Sequence, residues 1–215
     1  MRLVIAMALC AVVADGAVAV AATGDGQGPL IQPQAAQEPQ GDASLDLVSL
    51  VSGAALRALQ RPQREREEAV GQIIDRYVDV GFILRASVPV QAWSSMSDDE
   101  RAQAGGVYRR LAAGQYAMAF DGYQGELVDV LAVDRLGDGI FRVRTSLRAS
   151  GKPKIEIDWI TIEPEHGGRP MIRDLVVDGA STLATQQGYL QSIWETSGGD
   201  VQAFLVGFSE LAAGD

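Results

Sequence analysis

The sequence predicts an α+β domain in which helices pack on one face of a curved, four-stranded antiparallel sheet. Three observations predict it. Apolar residues recur at helical spacing up to about residue 120, the period switches to two over four consecutive segments between 126 and 177, and it turns helical again after Asp178-Gly179. Four strands in a row with short connections make an antiparallel meander, and the flanking helical stripes need a sheet face to cover.

Residues 1–22, MRLVIAMALCAVVADGAVAVAA, have the parts of a secretory signal peptide. Arg2 precedes an apolar run from Leu3 to Ala14, and Ala17-Val18-Ala19 or Ala19-Val20-Ala21 supplies a small-residue cleavage site. Asp15-Gly16 breaks the run too early for a membrane span. Residues 23–43 are rich in Gly, Gln, Pro and Ala with little to bury, the composition of a disordered linker. The ordered domain is expected over 44–215.

Its first helix carries the stripe Leu47, Leu50, Val51, Ala54, Ala55 and Leu59, and Pro62 stops it. Val70, Ile73, Ile74, Tyr77 and Val78 then share one face of a charged helical stretch that Pro89 ends. Ser97 and Glu100 form a capping box. The helix it opens has Ala104, Val107, Leu111 and Met118 at helical spacing, with Tyr108, Tyr116 and Phe120 widening the stripe. Gly105-Gly106 weakens that helix by about 1 kcal/mol per residue against alanine.

The strands follow. ELVDVLAVDRL (126–136) and IFRVRTSL (140–147) alternate, with Asp138-Gly139 in the turn between them. KIEIDWITIE (154–163) puts Ile155, Ile157 and Trp159 on one face, Glu156 and Asp158 on the other; MIRDLVV (171–177) is the fourth. An Asp-Gly turn ordinarily returns a second strand. After Asp178-Gly179, however, Leu183, Leu190, Ile193 and Trp194 fall at helical spacing, so a helix is expected to come back across the sheet instead. The last helix reads Val201, Phe204, Leu205, Phe208 and Leu211, capped by Asp200 after Gly198-Gly199.

Composition narrows the chemistry. The 215 residues, 47% of them apolar, suffice for one domain with a filled core, and a net charge of −10 argues against nucleic acid and against an electrostatic hold on anionic membrane. The single cysteine, Cys10, lies inside the leader, so its cleavage removes disulfides, thiolate catalysis and cysteine metal sites together. His166, the only histidine, sits in EPEHGGRP, a polar hairpin tip with nothing to position it as a base. No serine lies in a nucleophile elbow, and no glycine-rich segment has phosphate-loop spacing. The acids of SDDE (97–100) fit the first turn of a helix, where they complement its dipole, better than a metal cluster. Neither a metal, a cofactor nor an enzymatic activity is expected.

YVDVGFILRASVPVQAW (77–93), MSDDERAQAGGVYRRLAAGQYAMAFDGYQG (96–125) and MIRDLVVDGASTLATQQGYLQSI (171–193) resemble, in that order, segments of the MlaC-type periplasmic phospholipid-binding proteins, the toluene-tolerance or organic-solvent-resistance auxiliary family. The matching positions are Asp79, Trp93, Tyr116, Tyr123 with Gly125, and then Asp174, Val177, Gly179 and Ser181. The likeness covers residues 44–212. The chain departs from it at Met171, where an aromatic is usual, and at Gln186-Gln187, where an arginine is.

The resemblance implies a monomeric carrier whose sheet and helices enclose an apolar pocket for the acyl chains of a phospholipid. It implies partners too: an outer-membrane lipoprotein complex and an inner-membrane ABC transporter complex, between which the carrier crosses the periplasm and maintains outer-membrane lipid asymmetry. Physical chemistry makes such a carrier necessary. Two acyl chains hold about 30 methylenes at about 0.8 kcal/mol each, so free transit through water costs on the order of 20 kcal/mol. The pocket is expected to be lined from the strands by Val128, Val130, Phe141, Val143, Ile157, Trp159, Leu175 and Val177. From the helices it would take Tyr77, Phe82, Leu111, Tyr116, Phe120, Leu183 and Leu190. Three readings compete: a carrier of phospholipid or of another lipid such as a hopanoid, an enzyme using Asp174 with Tyr116 or Tyr123 on a small apolar substrate, and an adaptor with a solid core.

Overall fold

A computed structural model describes residues 41–119, 127–148, 153–164 and 168–213. The expected leader, the linker up to residue 40, Phe120, Tyr123, Gly125 and His166 lie outside the described residues. Five helices come first: α1 (Asp42–Leu59), α2 (Gln63–Tyr77), α3 (Val80–Ser87), α4 (Val90–Ser95) and α5 (Asp98–Ala119). Five strands follow, β1 (Leu127–Gly137), β2 (Ile140–Arg148), β3 (Ile155–Ile162), β4 (Met171–Val177) and β5 (Ala180–Ser181), and then α6 (Thr182–Thr196) and α7 (Val201–Ala213). The sheet is antiparallel in simple sequence order, β1-β2-β3-β4-β5. The fold is α+β, as the change of period predicts.

The first helix starts at Asp42, ahead of Ser44, behind a glycine that nothing else could replace. Gly41 has φ 104°, and a Cβ there would come within 2.8 Å of Val133 Cγ1. The stretch from residue 64 to 84 is two helices, because a distant partner interrupts it. Val78 is extended and bridges Ile172 in parallel, and the Asp79 amide donates to Ile172 O at 2.8 Å. The Asp79 side chain then opens α3. Its Oδ1 accepts from the Phe82 amide at 3.0 Å and its Oδ2 accepts from Arg173 Nε at 3.1 Å. The capping box forms as expected: the Ser97 amide donates to Glu100 Oε2 at 2.7 Å and the Glu100 amide to Ser97 Oγ at 3.3 Å.

The turn after β4 does both of the things weighed for it. Asp178 (φ 47°) and Gly179 (φ 84°) are both left-handed, as a tight hairpin turn requires, and Val177 and Val176 pair with Ala180 and Ser181. The four expected strands are therefore joined by a fifth, only two residues long. Ser181 ends it by capping α6, its Oγ accepting from the Ala184 amide at 3.0 Å.

Burial divides into two layers. Phe204 and Phe208 of α7, Leu190 of α6 and Val107 of α5 are almost wholly buried among the helices. Leu47, Val48 and Val51 of α1 pack on Val143, Ile157, Trp159 and Ile172 of the sheet. Each such large side chain contributes about 1.5–3 kcal/mol. Three residues depart from the expected pattern. Leu50, on the expected stripe of α1, is 50% exposed, because the face set by Leu47, Val48 and Val51 turns it to solvent. Met118, on the expected stripe of α5, is 62% exposed, being in the last turn of a helix whose buried face is set by Ala104, Val107, Leu111 and Tyr108. Val130, expected inward, shares a face with the buried Thr145 opposite it yet is 44% exposed. Strand β1 is the sheet's edge with β2 as its one substantial neighbour, and the pairing shifts register between Val130 and Ala132, so no helix covers that position.

Candidate functional site: an apolar cavity between helices and sheet

Between the two layers lies a cavity of about 760 Å³, counted as all the space between its walls with the mouth included. One wall is α1, through Val51, Ala55 and Leu59; α2 and the residues after it add Val70, Ile73, Ile74, Val78 and Ile83. The sheet contributes Trp159, Ile172 and Leu175. Tyr108 and Tyr116 enter from α5, Asp174 from the middle of β4 and Thr182 from the start of α6.

Local sequence explains why each wall stands where it does. Ala55 leaves space on α1 where a larger residue of the same stripe would close it. The Trp159 ring is a flat wall because its one polar atom is tethered behind it: Nε1 donates to Thr145 Oγ1 at 2.9 Å, and that hydroxyl donates to Ile157 O at 3.0 Å. Val78 and Ile172 are brought together by the bridge that breaks α2 from α3.

The polar corner is organised by Asp174. Its Oδ1 accepts from Thr182 Oγ1 and from the Leu183 amide, both at 2.9 Å, and its Oδ2 accepts from Ser181 Oγ at 2.6 Å. The carboxylate therefore fixes the first turn of α6. Tyr116 stands beside Thr182: burial first and then Asp174 push its phenol above the ordinary range, while the Thr182 hydroxyl holds it down. Tyr108 is raised as well, by burial first and then by Tyr116 and Asp174. Both phenols are accordingly neutral hydrogen-bonding groups at physiological pH. Among the described residues no group of His, Cys, Asp and Glu is placed to hold a metal, and no helix is long and apolar enough to cross a membrane.

Of the residues expected to line a pocket, Tyr116, Trp159 and Leu175 do face this cavity. Val143 and Ile157 are buried in the layer between α1 and the sheet, and Tyr77 packs against that layer with the guanidiniums of Arg76 and Arg169 at 5.5 and 5.8 Å from its ring centre. Leu111 and Leu190 are buried in the interhelical core; Phe82 and Leu183 pack against it, Phe82 under the Arg173 guanidinium at 4.2 Å. Phe141 and Val177 are buried on the sheet, Val128 is half-buried beside the exposed Val130, and Phe120 is outside the described residues. The α1 and α2 wall, Tyr108, Ile172 and Thr182 were not singled out by sequence reasoning. A signal for the α1 wall was present in the small residues Gly53-Ala54-Ala55 interrupting an otherwise bulky stripe. At the position of the expected arginine, Gln187 Nε2 donates to Ala86 O at 2.6 Å and ties α6 to α3.

Comparison with known proteins agrees with this architecture. A solved structure described as the phospholipid-binding protein from Ralstonia solanacearum, in complex with a phospholipid, superposes with a TM-score of 0.66 at 15% sequence identity, covering 78% of this chain and 96% of that one. A search of the curated proteins gives no match. The family described as MlaC protein matches residues 51–205, which include every wall of the cavity. The chain belongs to the MlaC family.

Proposed function

We propose that this chain is a periplasmic lipid carrier. It holds the acyl chains of a phospholipid in the cavity between α1, α2, α5 and the sheet, and shuttles the lipid between an outer-membrane complex and an inner-membrane ABC transporter. The observation that carries the reading is the composition of the cavity. Eleven of the residues on its walls are aliphatic or tryptophan, and the polar groups are gathered at one corner. Such a lining shields a chain worth about 0.8 kcal/mol per methylene and offers no hydrophilic path to water. The phospholipid-bound structure of similar fold supports the choice of cargo.

The carrier acts without turnover. Asp174, the one carboxylate on the walls, already accepts three hydrogen bonds that fix α6, which suits a structural anchor better than a general base. A transfer assay tests the proposal. Fluorescent phospholipid moves from donor vesicles to separately held acceptor vesicles, and its rate should rise in proportion to added protein. A rate no higher than spontaneous transfer would refute it.

A further inference from the structure

Most polar groups at the cavity corner are mutually satisfied. The Asp174 carboxylate takes the donors of Ser181, Thr182 and Leu183, and Tyr116 stands beside Thr182. Tyr108 is the exception. It is 7% exposed and faces the cavity, yet among the described residues nothing accepts a hydrogen bond from its hydroxyl. The ring is buried but the hydroxyl keeps an open face, and a ligand that covers it without offering an acceptor leaves it unpaired at a cost. The space in front of it is the cavity itself, so the missing acceptor belongs to what the cavity holds.

We propose that the Tyr108 hydroxyl donates to the ester carbonyl oxygen of a bound acyl lipid, and that this bond selects ester-linked lipids. The inference rests on the carrier reading and adds the chemistry of the cargo. The acceptor must enter together with an apolar chain, since eleven of the lining residues are aliphatic or tryptophan. It must also be neutral, because Asp174 stands close enough to influence both phenols and would repel the carboxylate of a free fatty acid. An ester carbonyl meets both conditions: it sits at the head of the acyl chain, carries two lone pairs and has no charge. An alkyl ether lacks that oxygen and leaves the phenol unpaired.

The test compares dipalmitoyl phosphatidylcholine with its dihexadecyl ether counterpart, each competing against a fluorescent acyl probe on the whole mature protein and on Tyr108→Phe. The wild type should bind the diester about tenfold more tightly, the worth of one buried hydrogen bond, and the variant should bind the two within about twofold. Removing an unpaired hydroxyl should not lower the melting temperature of the lipid-free protein, whereas a hydroxyl with a structural partner would. Equal binding of both lipids by the wild type overturns this proposal and leaves the carrier reading standing, as does a diester preference that persists in Tyr108→Phe. Binding of neither lipid overturns both.

Discussion

Filling the cavity from α1 should separate folding from lipid binding. Ala55 is the smallest wall residue, on a helix that packs on the sheet through Leu47, Val48 and Val51. Phenylalanine at this position adds a phenyl group with the bulk of about six methylenes, and each methylene of acyl chain displaced loses about 0.8 kcal/mol. Ala55→Phe should therefore weaken lipid binding by about 5 kcal/mol, roughly a thousandfold or more. The fold should bear the change. Phenylalanine costs about 0.5 kcal/mol of helix propensity against alanine, and the ring enters existing space instead of displacing packed neighbours. The control is Ser49→Phe, which adds the same ring to the exposed side of α1. Lipid content after purification, measured by extraction and phosphate analysis, should vanish in Ala55→Phe and stay at the wild-type level in Ser49→Phe, with urea midpoints close in all three. A folded Ala55→Phe that keeps its full lipid complement would show that lipid sits somewhere else.

Asp174→Ala removes three hydrogen bonds to a charged, half-buried acceptor and should cost about 3–4 kcal/mol in urea unfolding; Asp174→Asn, which keeps an oxygen for Thr182 and the Leu183 amide, should cost about 1–1.5 kcal/mol. Equal losses in the two variants would contradict the assigned geometry. Of the five tyrosines, Tyr108 and Tyr116 should resist ionisation when phenolate absorbance is followed through pH 10.0, the ordinary value. Because the unfolded chain releases those protons first, stability should hold below pH 10.0 and fall as pH rises above it; five tyrosines titrating together in the folded protein would contradict this. Gly106→Ala should stabilise α5 by about 0.5–1 kcal/mol, a rise of about 1–4 °C in melting temperature, since the added methyl meets only the tip of Arg110 at 3.8 Å. A lowered melting temperature would mean that the glycine serves a packing need that its surroundings do not reveal.

What the sequence made legible was what is decided locally. Alternation over 126–177 gave the strands because side chains on a strand change face at every residue. Ser97 with Glu100, and Asp178 with Gly179, specified a helix start and a turn through bonds and dihedrals close in the chain. What stayed hidden depends on distant partners. The break at Val78 needs Ile172, and the exposure of Val130 needs the knowledge that β1 is an edge. The cavity was the least legible feature, because Val51, Ile73 and Ile74 are the residues a solid core would also use at the same spacing. Its polar corner was partly visible: Asp174 and Tyr116 were paired as candidates before Thr182 was seen to join them. Tyr108 had read only as one more aromatic on the α5 stripe, since neither burial nor the lack of a partner is written in sequence.

The central claim is that lipid occupies this cavity, and native mass spectrometry of the purified mature chain, with organic extraction of whatever accompanies it, tests that most directly. The account predicts an added mass that extracts as an ester-linked phospholipid and is absent from Ala55→Phe. A clean mass for the bare chain, with no uptake from added liposomes, would contradict it and make the apolar walls a core that packs on itself.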